Sequence, residues 1–159
     1  MPLTSSVPAW TAGALARSTR RSASSASSNA ASLSPLPTDA CAHQRRKLAR
    51  VALARGDAKT ALPLAQDAER HLGEAGDVYQ QAGARRLVGA ALHALGDHAG
   101  SDAAYDGAIE LARGIEMFPS VSEYASEYAQ KLRERGDYER AFQYLELARK
   151  NAGHAPSLL

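Results

Sequence analysis

The chain is poor in cysteine, in aromatic residues and in long apolar runs, and each shortage excludes a class of protein. Cys41 is the single cysteine among 159 residues, so neither an intrachain disulfide framework nor a multi-cysteine metal site can be built. Phe, Trp and Tyr make up only 6%, which argues against a β fold, because aromatic and β-branched side chains are the usual strand residues. No apolar run approaches the ~20 residues of a membrane span, and the N-terminus lacks the apolar core of a secretory signal. A soluble, cytoplasmic protein without membrane attachment is the expectation.

Catalytic signatures are also missing. There is no glycine-rich phosphate loop, no HExxH pair and no G-x-S-x-G elbow. Cys41 and His43 are two apart on a helix and point in different directions, with no orienting carboxylate in view. His93 and His98 stand ~140° apart on an ideal helix, with the Gly96 turn between them, so they do not read as a metal pair. Neither an enzyme, a bound metal nor a cofactor is expected.

Charge gives no support for nucleic-acid binding. The net charge of +2 arises within the first forty residues, where Arg17, Arg20 and Arg21 face only Asp39; of the 19 basic and 17 acidic residues, 16 of each remain from position 41 onward. A basic tail is not a basic face. The run Arg45-Arg46-Lys47 with Arg50 occupies a turn and a half of helix and reads as a solvated surface.

The chain does contain abundant Ala, Leu, Arg and Glu, the residues of packed helices. Residues 1–40 are Ser, Ala and Pro rich, lack the apolar surface to offset the entropy of ordering, and are expected to be a disordered tail; their Arg and Ser content is also that of a targeting segment. From Cys41 to Ala152 the texture is helical, and residues 153–159 form a second, short tail. Gly-Asp pairs at Gly56-Asp57, Gly96-Asp97 and Gly136-Asp137 recur at intervals of 40 residues. In phase with them stand larger apolar residues (Leu48, Val88, Tyr128), each followed by a small one (Ala49, Gly89, Ala129), then Ala52, Leu92 and Leu132. After each glycine come Ala65, Tyr105 and Leu145, then Ala68, Ala108 and Ala148. Small residues beside large ones let two helices approach and interlock.

Each unit therefore reads as two helices joined by a turn in which Gly ends one helix and Asp caps the next. The spacing predicts helices near 41–55, 58–72, 77–95, 98–113, 120–135 and 138–151. Asp77 with Gln80 and Ser120 with Glu123 have capping-box spacing. Gly73 and Gly76, then Gly114 and Pro119, supply breaks between units. Pro63 is costly inside a helix, so the second helix is expected to begin late, at a Thr60 cap, or to bend.

This pattern, clearest over Tyr128–Leu145, resembles the tetratricopeptide repeat (TPR) over about residues 42–152. The resemblance implies an all-α fold, a right-handed solenoid of three helix pairs. The unit is longer than the usual one, with an insert expected at 73–77, as in the long-unit variety found in bacterial transcription and signalling regulators. Nothing upstream of residue 41 reads as a helix-turn-helix, so a regulator of that kind would lack its effector domain here. Asp102 departs from the pattern, standing where Leu62 and Phe142 stand, and the family's proline near the end of each unit is missing. The middle unit is therefore expected to be the loosest.

In this family the first helix of each unit lines a groove that holds a protein or peptide. By position that face is His43, Arg46, Arg50 and Leu53; then Gly83, Arg86, Ala90 and His93; then Glu123, Ser126, Gln130 and Arg133. Its guanidinium groups suit carboxylates, so an acidic peptide is the expected ligand, with Arg50 and Arg86 at no packing position. Glu123 and Glu127 stand where the family's chaperone-tail clamp has Lys or Asn, so that activity is not carried over. Three units without a polar cap are expected to leave apolar surface near Phe142 and Leu145, through which a homodimer could form.

Overall fold

The computed structural model describes residues 38–154, and the expectations for the two tails lie outside them. Six α-helices follow one another: α1 Thr38–Ala54, α2 Ala58–Glu74, α3 Val78–Leu95, α4 His98–Gly114, α5 Phe118–Glu134 and α6 Tyr138–Ala152. Among the described residues there is no strand, and the fold is the expected helical-hairpin repeat of three pairs.

The first helix starts at Thr38, three residues before the predicted start. A larger difference concerns the period. Helices α2 to α6 begin at 58, 78, 98, 118 and 138, so the backbone repeats every half-unit. The turn between units, Ala75-Gly76-Asp77, has the same form as the turns within units: Gly76 takes φ 76°, beside 78°, 86° and 82° at Gly56, Gly96 and Gly136. In each case the Asp backbone N–H closes onto a carbonyl five residues back, as Asp57 does on Ala52 at 2.9 Å. The Asp carboxylates then accept from the backbone N–H of Thr60, Gln80, Gly100 and Arg140, at 3.0–3.3 Å. No insert exists: α2 runs through Gly73 to Glu74, and 73–77 is helix end plus turn.

The turn before α5 is the exception. There Glu116 takes the left-handed conformation at φ 58°, and Met117 is the N-cap residue with no side-chain hydrogen bond. Ser120 does not cap, because α5 has already started at Phe118, with Pro119 in its first turn, where no N–H is needed. Restoring the pattern with Glu116→Gly and Met117→Asp should stabilise the chain by about 1–2 kcal/mol, from relieved backbone strain and a new cap. Thermal melting would show a rise of several degrees. A lower midpoint would mean that Met117 packing outweighs the cap.

Pro63 lies well inside α2, which nevertheless starts at Ala58 with Asp57 as its cap, against expectation. Pro63 and Lys59 are both exposed, so the Lys59 carbonyl left without an intrahelical donor faces water. That is where an internal proline costs least.

Packing follows the large-and-small alternation. Ala68, Ala108, Tyr128 and Ala148 are buried, as are Ala49, Ala65, Tyr105 and Leu132. Leu48 and Leu145 break the rule and are substantially exposed. They sit on the first and last helices among the described residues, where the described array supplies no further neighbour. Asp102 does not loosen the middle unit, because Arg135 and Arg140 donate to it at 3.2 and 2.8 Å, tying α4 to the turn after α5 and to α6. Its burial favours the neutral acid, but hydrogen bonds from Arg135, Arg140 and Tyr128 outweigh this and hold its pKa below the ordinary carboxylate value.

Candidate functional site

The first helices of the three pairs, α1, α3 and α5, bring their predicted faces together. Arg50 and Leu53 of α1, Arg86, Ala90 and His93 of α3, and Gln130 of α5 line one pocket of about 390 Å³. Leu53, Leu87 and Ala90 give it an apolar floor, and Glu127 and Lys131 complete its α5 wall. Arg133 lies outside it, in a neighbouring hollow with Ser126 and Gln130. His43 is at the other end, where its Nε2 stands 3.6 Å from the Asp77 carboxylate.

Gly83 explains how Arg46 enters the groove. A Cβ there would meet the Arg46 guanidinium at 3.2 Å and the Tyr124 hydroxyl at 3.6 Å. With only hydrogen at that position, the α1 arginine can lie across α3. The Arg46 Nε is buried and makes no hydrogen bond.

Arg86 is a packing residue, contrary to its reading as a free surface charge. Its side chain is only 17% exposed, it is hydrogen-bonded to Glu127, and Glu123 lies 3.8 Å away. The guanidinium also stands over the Tyr124 ring, 5.4 Å from its centroid. Burial acts to lower its pKa, but the Glu127 and Glu123 carboxylates outweigh that and raise it. Glu127 in turn accepts from the buried Tyr105 hydroxyl at 2.7 Å. Reversing Arg86 would set a third carboxylate against Glu123 and Glu127.

His93 is likewise engaged, its Nε2 lying 3.0 Å from Glu134. The Gly96 turn folds His98 back so that the two imidazoles approach to 5.6 Å rather than pointing apart. Among the described residues no group of three or more His, Cys, Asp or Glu gathers as a metal site. The basic run of α1 is dispersed: Arg45 pairs with Asp67 at 3.3 Å, Arg46 turns to Gly83, and Arg50 faces the pocket.

The groove is thus less basic than its sequence positions suggest, since Glu127 pairs with Arg86 and Glu134 lies against His93. Both acids follow their partners by 41 residues. That offset, one unit plus one position, is the signal by which they could have been found. Among the described residues Arg46, Arg50 and Arg133 form no ion pair.

No protein-family model and no curated protein sequence matches the chain. Among solved structures it is similar to the TPR domain of Arabidopsis FLU, with a TM-score of 0.67 and 16% identity, over 75% of this chain and 100% of that one. The fold is that of a TPR domain. Among the described residues no helix is long and apolar enough to cross a membrane.

Proposed function

We propose that the chain is a non-catalytic scaffold whose groove holds an acidic segment of a partner protein. The observation that carries this is Arg50, exposed and without an ion-pair partner, at a pocket with an apolar floor. Arg46 adds a second guanidinium on the same helix, and Arg133 a third at the far end. Arg86 and His93 shape the pocket, and both are already engaged, by Glu127 and Glu134. The acidic segment therefore engages the α1 side first, where its carboxylates find planar donor forks and its apolar side chains find Leu53 and Ala90. No nucleic acid or cofactor enters this reading.

A display selection of random peptides on the purified full chain tests it. Enrichment of Asp and Glu is expected, with affinity that falls as salt is added. The Arg46→Glu, Arg50→Glu double variant should keep its helicity and weaken the selected peptides by about tenfold or more. Selection of basic or uncharged peptides, or affinity untouched by the double reversal, would overturn the assignment. A second reading, a sensing and oligomerisation part of a signalling regulator, is favoured by a different feature, the apolar face left on α6.

A further inference from the structure

Helix α6 carries an exposed apolar row, Tyr138, Phe142 and Leu145. Leu145 is 42% exposed, whereas Ala65 and Tyr105, 80 and 40 residues earlier in the same repeat position, are fully buried. Phe142 is 65% and Tyr138 69% exposed. At the Leu145 position the side chains of α2 and α4, Ala65 and Tyr105, are buried against neighbouring helices. Beside the row lies a hollow of about 480 Å³ lined by Ser126, Gln130, Arg133, Glu134, Tyr138 and Leu145. What fits there is another helix.

We propose that this helix is the α6 of a second copy, laid antiparallel across a two-fold axis. The row supplies its own complement. Tyr138, Phe142, Leu145 and Arg149 follow the alternating four-and-three spacing of a coiled-coil seam and fall within ~60° on the helix. Placing Phe142 against the partner's Leu145 brings Tyr138 against the partner's Arg149, a ring and a guanidinium. In antiparallel pairs each flank meets the same flank of its partner, so Glu139 meets the partner's Lys150. Both are exposed, and neither forms an ion pair among the described residues. A parallel pair would instead set this flank against the opposite flank of the partner, and Glu139 would not meet Lys150. The other exposed end, Leu48 and Val51 on α1, is the poorer partner, since α1 carries Arg45, Arg46, Lys47 and Arg50 and would meet Arg149 and Lys150. The isologous contact closes after two copies.

Sedimentation equilibrium of the full chain, from micromolar to hundreds of micromolar, tests this. A monomer–dimer equilibrium without larger species is expected. Phe142→Glu should raise the dimer dissociation constant by about tenfold or more while leaving helicity unchanged. Glu139→Lys should weaken the dimer, and Glu139→Lys with Lys150→Glu should restore it, which a merely sticky surface would not do. Leu48→Glu should leave it intact. A wild-type chain that stays monomeric, a dimer indifferent to Phe142→Glu, a charge swap that fails to rescue, or dissociation by Leu48→Glu would each overturn the proposal, the last by pointing to head-to-tail stacking.

Discussion

Replacing Ala108 by Arg should destabilise the chain by about 4 kcal/mol or more, a large share of the total stability of a domain this size. Ala108 is fully buried and belongs to a core cluster with Ala82 of α3 and with Tyr124 and Tyr128 of α5. An arginine there must either push three helices apart or leave a charge without a partner. Ala148→Arg should cost less, because among the described residues no helix lies beyond α6 and a long side chain can reach water. Urea unfolding of both variants checks the order. Equal, small effects would show that the small-residue positions are not the contact points between helices.

Gly89→Leu should cost about 3 kcal/mol, although glycine is itself a poor helix residue and its replacement would ordinarily help α3. A Cβ at Gly89 would lie 2.8 Å from the Tyr105 ring. That ring cannot easily yield: it stacks on Tyr128 at 4.9 Å between centroids, and its hydroxyl donates to Glu127. The Ser101 hydroxyl also donates to the Gly89 carbonyl at 2.9 Å, holding α4 against α3 at this point. Gly89→Ala should be destabilising too, by less, because its single methyl already needs the ring to move. If Gly89→Ala instead raises the melting temperature, the Tyr105 ring is free to shift, and the close approach is not a constraint.

Much of this architecture can be read along the chain, because the devices that set it act within a few residues. A glycine in the left-handed conformation and an aspartate three residues before the N–H it caps are local arrangements, so Gly56-Asp57 and its copies mark the turns directly. Gly76-Asp77 is the same device. Its Gly76 break and Asp77 cap are legible singly, but the 40-residue interval compares first helices with first helices and does not show the likeness between the two halves of a unit. Glu116 and Met117 have neither residue type, and their turn forms because the helices on both sides are held in place by packing.

Charge in the groove is a different case. The sequence alone determines that Arg50 and Arg86 occupy equivalent helical faces, since helical spacing decides which residues share a side. It does not determine their charge state of engagement: Arg86 is bonded to Glu127 and His93 lies against Glu134, each 41 residues away, while Arg50 stays unpaired. Those pairings depend on how far one helix slides along the next, which is settled by side chains interlocking between units, such as Tyr105 under Gly89. The sequence likewise marks Phe142 and Leu145 as packing positions by their place in the repeat. That they are exposed follows only from the tertiary structure, because burial requires a neighbouring helix, and α6 is the last one among the described residues.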